Sequence, residues 1–217
     1  TRLCAAFIAG DLERHLQLNH LLKNYVALAA FLGGCREQPP GFDFLARGVP
    51  RSLEQVFLAD GGHAERSPMY HALGLLDLRV LRDSGVFRDA WQPGLDRHIA
   101  AAERALALMS HPDGDIALFN DAWIGGAPPA STLVPQRVSP GRHDLPVTGY
   151  SRLEDGQDCV IFDCGPIGAD LNPGHGHADL LAVEASVGGR RLIVDPGTPT
   201  YVTGPERSWC RAAAGHN

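Results

Sequence analysis

Pro173-Gly174-His175-Gly176-His177-Ala178-Asp179-Leu180-Leu181 places two imidazoles and a carboxylate at alternate positions, just ahead of an apolar run that reads as a strand. In extended backbone, alternate side chains share a face, so His175, His177 and Asp179 would stand in one row at steps of roughly 6–7 Å. That is the geometry of a metal or acid–base site. Asp195 and His216, further along the chain, extend the same donor set.

Working outward, the second half of the chain reads as β structure. Residues 116–119, 147–153, 160–163, 180–187 and 191–194 are short runs rich in Val, Ile and Leu, separated by turn residues, the pattern of an antiparallel sheet. Gly188-Gly189 between the last two runs predicts a two-residue hairpin. A strict hairpin there sets Asp195 opposite Ala182 and leaves His177 roughly 16 Å further along. A metal shared by His177 and Asp195 therefore requires the chain near 177–180 to bend back, or a bulge to shift the register. The stretch 125–146, with five prolines and three glycines, is expected to be a long loop.

The first half reads as helical. Residues 11–32 carry leucines, Val26 and Phe31 at mixed three- and four-residue intervals up to Gly33-Gly34, which predicts one largely buried helix. Ser52 followed by Gln55 is a capping-box pattern opening a short helix before Gly61-Gly62. Ser67-Pro68 predicts an N-cap and first helical position, with the helix continuing to Gly85, and a fourth helix runs from about Leu95 to Met109. Helical hairpins of this kind build a bundle or part of an α/α toroid. The expected fold is thus α+β, with residues 1–111 helical and residues 112–217 an antiparallel β-sandwich.

Composition narrows the function classes. The 217 residues are 44% hydrophobic and 20% charged, enough for a real core, with a net charge of −6 that argues against nucleic acid as partner. An acidic ligand would need a locally basic cleft, for which Arg66, Arg207 and Arg211 are available; ordinary ion pairing would use them equally well. The five cysteines have no C-x-x-C spacing, so neither a disulfide framework nor a cysteine zinc site is indicated. No apolar stretch is long enough to cross a membrane. The chain starts without methionine and reads as a fragment of a longer protein.

Two further clusters carry chemistry. Asn19-His20 are polar residues inside an apolar helix, which either pair in the core or face a cleft. The segment Asp60-Gly61-Gly62-His63-Ala64-Glu65-Arg66-Ser67-Pro68-Met69-Tyr70-His71 enters a helix N-terminus, which favours an anion. Tyr70 could donate a proton there if neighbouring positive charge lowers its pKa. His63, His71 and His111 read as structural or surface histidines, Glu65 and Arg66 as substrate-orienting residues or as an ion pair, and Asp121 as a residue holding the junction between the halves.

These segments, together with Phe119-Asn120-Asp121-Ala122, Val194-Asp195-Pro196-Gly197-Thr198 and His216-Asn217, resemble the heparinase II/III-like polysaccharide lyases, which include oligoalginate lyases. The resemblance covers nearly the whole chain. It implies a partial α/α toroid followed by a β-sandwich, an active site between them, and β-elimination on a uronate-containing polysaccharide or oligosaccharide. It also implies a bacterial periplasmic or secreted setting, with a homodimer left open.

By the same resemblance, Asn19 and His20 match the pair that binds the uronate carboxylate and assists proton removal. Tyr70 is similar to the catalytic tyrosine, His175 to the catalytic histidine and Tyr201 to a second active-site tyrosine. His177, Asp195 and His216 look like the ligands of a structural zinc ion, a set that suits zinc better than calcium. Proton abstraction beside a carboxylate builds negative charge that hydrogen-bond donors such as Asn19 must neutralise. His20 or His175 then serves as base, and Tyr70 as acid. Two other readings remain at this stage, a non-catalytic polysaccharide-binding or export-associated protein of the same fold and a cupin-like metal enzyme.

Overall fold

The side chain of Ser67 accepts the Tyr70 N–H at 3.2 Å, and Pro68, whose missing N–H is no loss in a first turn, opens helix α4 (Pro68–Asp83) where the sequence predicts it. In the computed structural model, which describes residues 2–88, 91–135 and 138–216, this helix packs between α2 (Leu18–Gly33) and α5 (Gln92–Leu108). The short α1 (Arg2–Gly10) and α3 (Leu45–Val56) pack on α2. Leu22, Leu28, Leu53, Leu75, Leu78 and Leu95 are fully buried between these helices, which is why the leucine intervals are legible as helices.

Two helix expectations are corrected. The predicted helix over 11–32 is broken: Gln17 and Leu18 take positive φ (54° and 42°), and α2 starts only at Leu18. Ser52 is not a cap. Helix α3 begins at Leu45, two turns earlier, runs through Pro50 and places Ser52 in its buried interior.

In the second half, strands β1 (Gly141–Leu145), β2 (Tyr150–Asp155), β3 (Asp158–Asp163), β4 (Val183–Val187) and β5 (Arg190–Ile193) form one antiparallel sheet in sequence order. The expected loop 125–146 contains β1 and the single-turn helix α6 (Ala130–Leu133). Residues 116–119 are not a strand; they contribute only an isolated bridge from Ile116 to Ser110. Phe119 instead plugs a second core with Met109 of the helical half and Tyr150, Ile161 and Ala182 of the sheet half. The architecture is α+β, helices first and a meander sheet second.

The hairpin at Gly188-Gly189 carries a bulge, but it shifts Asp195 one residue further from His177 along the register, so any approach of the two falls to the bend before β4. Ser186 pairs with Arg191 but Ala185 pairs with Ile193, a one-residue shift. Residues 180–182 are not part of β4: Leu181 has φ +68°, and the chain turns back before the strand begins. The preceding Pro173–His175 is one turn of 3-10 helix rather than extended chain. His175 and His177 therefore owe their placement to a folded loop and not to strand alternation.

Candidate active site between the helical and sheet halves

The loop 60–67 staples the two halves together. The Asp60 carboxylate accepts the Val147 and Thr148 N–H groups at 2.7 and 2.8 Å and the Thr148 hydroxyl at 2.6 Å. A Cβ on Gly62 would lie 1.8 Å from the Thr148 Oγ1, so only glycine fits at that joint. Arg66 is 8% exposed, and its guanidinium donates to the carbonyls of Ala64, Thr148 and Gly168. Its own carbonyl accepts from the Tyr150 hydroxyl and the Asn120 amide. Arg66, read from sequence as a substrate contact, is thus committed to the junction by these bonds.

Asp121 is the hub of the site. Its Oδ2 accepts from His175 Nδ1 at 2.8 Å and its Oδ1 accepts from His177 Nε2 at 2.8 Å, so one carboxylate orients both histidines of the 173–177 turn. Thr198 Oγ1 adds a bond of 2.7 Å, and Arg207 on α7 (Pro205–Arg211) donates bidentately at 2.5 and 2.8 Å. Burial alone would push this carboxyl up. The hydrogen bonds from His175, His177, Arg207 and Thr198 outweigh burial and hold it well below the usual carboxylate range.

Around His175 gather groups from both halves. The Tyr70 ring, in the first turn of α4, lies 4.2 Å from the His175 ring between centroids, and the Tyr70 hydroxyl is 3.2 Å from that of Tyr201. The Arg207 guanidinium sits 5.0 Å over the Tyr201 ring. On the other side, the Glu65 carboxylate, 1% exposed, lies 3.8 Å from His175 Nε2 and accepts the backbone N–H of Asn19. Burial raises the Glu65 carboxyl to about 7 despite the nearby His175. Burial also raises both phenols, against the lowering expected for Tyr70 from positive neighbours; the Arg207 charge is too small a counterweight.

Tyr70, His175, Tyr201 and Arg207 therefore converge around Asp121, while Asn19 is tied to them only through its backbone N–H on Glu65, its side-chain oxygen being buried without a partner. His20 does not join them: its side chain is 44% exposed and its nearest charged partner is Glu13, at 3.9 Å. Arg211 donates to the Gly176 carbonyl at 2.9 and 3.2 Å, bracing the histidine turn. An open groove of about 620 Å³ runs past Ile167, Tyr201, Thr203, Arg207 and Ser208 beside this cluster.

Of the three residues assigned to zinc, His216 Nδ1 contacts Asp195 Oδ2 directly at 2.6 Å, and the His177 ring lies 5.4 Å from the His216 ring. The bend alone brings His177 back to His216, which in turn holds Asp195. The outward nitrogens, His177 Nδ1 and His216 Nε2, are buried and have no hydrogen-bond partner. Among the described residues, no group of three or more His, Cys, Asp or Glu side chains is arranged to hold a metal ion. Asn217, the last residue of the quoted motif, lies outside the described residues.

His63, His71 and His111 are structural. His63 Nδ1 accepts the Glu65 N–H, His71 meets the Ala102 carbonyl, and His111 bridges Glu184 and Ser186 at 2.7 Å each. Thr198 is the site residue to which sequence reasoning gave no role, and Glu65, read there as orienting substrate or pairing with Arg66, instead faces His175. Glu65 had a signal, since a lone carboxylate two residues after a histidine and five before a tyrosine in a glycine-led loop cannot be a helix-face charge. Thr198 had none.

Residues 137–217 match the family described as Heparinase II/III-like, C-terminal. The heparan sulfate lyase HepC from Pedobacter heparinus superposes with a TM-score of 0.71 at 17% identity, over 95% of this chain and 37% of that one. A crystal structure of heparinase III gives 0.69 at 18% identity, over 98% and 40%. At these identities the likeness speaks for the fold. In sequence, FtsZ-localized protein C of Caulobacter vibrioides is 33% identical over 147 residues, which is 64% of this chain and 26% of that protein. The chain thus spans well under half the length of these relatives. The Heparinase II/III-like C-terminal match thus falls on the sheet half, and the fold of both halves together is that of these lyase structures.

Proposed function

We propose that this chain forms the catalytic cleft of a lyase that cleaves a uronate-containing polysaccharide by β-elimination. The observation that carries the reading is the meeting of Tyr70, from the helical half, with His175 and Tyr201, from the sheet half, above a carboxylate that orients the imidazole. With its Nδ1–H given to Asp121, His175 keeps a lone pair on Nε2, and it acts as the base that removes the proton at C5. The electron pair of that C–H bond becomes the C4=C5 double bond, the C4–O bond breaks, and Tyr70 gives its proton to the departing oxygen. A phenol whose pKa is raised by burial stays protonated until that moment, which suits an acid better than a phenolate base. Asn19 donates to the substrate carboxylate as charge builds on it. His20, exposed beside Glu13, leaves the role of base to His175.

The reading includes a structural zinc ion held by His177, Asp195 and His216. Its support is the pair of buried imidazole nitrogens left without partners: the other nitrogen of each ring faces a carboxylate, which fixes the tautomer that presents a lone pair. Such an ion would cross-link the 173–177 turn to the chain after β5 and to the C-terminal turn. The catalytic steps do not pass through it. A periplasmic or secreted setting goes with a polysaccharide substrate, and among the described residues no helix is long and apolar enough to cross a membrane.

The test is the full-length protein on alginate, heparan sulfate and related uronates, read by ultraviolet absorbance of the unsaturated product. Tyr70→Phe should lower turnover by roughly 10²–10⁴-fold while substrate binding survives. Absence of product on every uronate tried overturns the reading. It would favour a non-catalytic role on the same fold, a second reading supported by the relative named for its localisation with FtsZ.

A further inference from the structure

We propose a second ligand site, a groove between α2 and α3 that binds the carboxylate or sulfate groups of an acidic saccharide. Gln17, Leu21 and Tyr25, spaced four apart, face Arg47, Arg51 and Gln55, spaced likewise along α3, across an open groove of about 390 Å³. Arg14 lines the same groove. Among the described residues these arginines are the only charged groups lining it, and no ion pair links any of their guanidinium groups to a carboxylate. The chain as a whole carries −6, so this concentration of positive charge runs against its average. Arg47 and Arg51, one turn apart, repel each other.

A second observation points to a ligand. Ser52, 2% exposed and lining the groove, has a hydroxyl with no hydrogen-bond partner. A buried helical serine can satisfy its hydroxyl on the carbonyl four residues earlier; this one does not, and an oxygen bound between the arginines would satisfy it. The wall is aromatic: Tyr25 and Phe44 lie 6.4 Å apart between ring centroids, and Gly48 lets the Tyr25 ring lie against α3, since a Cβ there would be 2.8 Å from it. Guanidinium forks for planar oxyanions, amide and hydroxyl groups for sugar hydroxyls and a ring face for the apolar side of a pyranose describe an acidic saccharide. The volume falls in the range of small-molecule sites.

The groove is separate from the Tyr70–His175 cleft. At about 100° per residue, Asn19 points to nearly the opposite side of α2 from the row Gln17, Leu21, Tyr25. The proposal therefore does not depend on lyase chemistry.

The test uses the full-length protein, with hydrogen–deuterium exchange of the peptide covering 45–56 and calorimetric titration at fixed ionic strength. The probes are a uronate disaccharide, a sulfated disaccharide, a neutral disaccharide and inorganic sulfate. Either acidic disaccharide should protect 45–56, the neutral one should not, and Arg47→Ala/Arg51→Ala should weaken that binding at least tenfold. Ser52→Ala should weaken it several-fold, and Tyr70→Phe should leave it intact. Melting curves confirm that each variant is folded; should the alanine pair unfold, Arg47→Gln/Arg51→Gln replaces it, with the same expected loss. Protection confined to 173–177, equal protection by the neutral sugar, binding of inorganic sulfate alone, or undiminished binding in the double variant overturns the proposal.

Discussion

Asp121→Asn is the perturbation that asks most of the site. The substitution keeps the shape of the side chain but removes the charge that His175, His177, Thr198 and Arg207 all address. An amide retains one acceptor oxygen and turns an NH₂ toward donors, so either the arginine fork or a histidine loses its partner. A hydrogen bond to a charged group contributes about 1.5–3 kcal/mol, and stranding one member of a buried ion pair costs about 3–5 kcal/mol. Because these bonds share one acceptor they do not add. The expected loss is about 3–5 kcal/mol, which for a chain of this size lowers Tm by roughly 6–20 °C. Paired urea and thermal unfolding of wild type and variant measure it.

The pH dependence supplies a second handle on the same residue. The folded pKa of Asp121 lies below the unfolded value of about 3.9, so its contribution is present above that pH and is lost as pH falls through the folded pKa. The gap between wild type and variant should therefore be constant from neutral pH to about pH 4 and close below it. A difference under 1 kcal/mol at pH 7, or a gap that persists unchanged in acid, would refute the hub argument.

Glu65 should behave in the opposite sense: its folded pKa of about 7 exceeds the model-peptide value of 4.5, so its contribution is present below 4.5 and is lost as pH rises through 7. Glu65→Gln should thus flatten the stability profile between pH 5 and 8, gaining on the order of 3 kcal/mol over wild type at pH 8; parallel profiles would contradict this. Gly62→Ala drives a methyl into Thr148 and should cost at least 1–3 kcal/mol, with exchange protection falling first at 146–149; wild-type stability would show that the joint is slack. Phe119→Ala empties the core shared by both halves and should cost about 3–5 kcal/mol in a single cooperative transition; two separated transitions would mean that the halves fold independently. Elemental analysis should find one zinc per chain and chelation should lower Tm by several degrees, whereas metal-free protein with an unchanged melt would remove zinc from the proposed function.

The helices were legible because their apolar intervals face a real core and because Ser67-Pro68 carries its own start signal. Ser52-x-x-Gln55 imitated a cap but sits two turns inside α3, where packing of Leu45, Val49 and Leu53 outweighs a local pattern. Strand β1 was hidden because Gly141–Leu145 is largely polar and mostly exposed, with no alternation to read. The segment 116–119 misled in the other direction, since Ala117 and Phe119 are buried as core plugs rather than as ladder residues.

Local order along the chain was enough to indicate helices followed by a sheet, and which residue types could do chemistry, because periodicity, caps and donor-rich motifs are properties of neighbours. Which of those residues meet was settled only by folding: a positive φ at Leu181 and a 3-10 turn at Pro173–His175 fold the loop so that two histidines 56 and 54 residues away meet on the single carboxylate of Asp121. Those contacts depend on through-space distances that no spacing in the sequence encodes. The same closure committed Arg66 to backbone carbonyls and placed Glu65 beside His175, roles fixed by burial once the two halves had met.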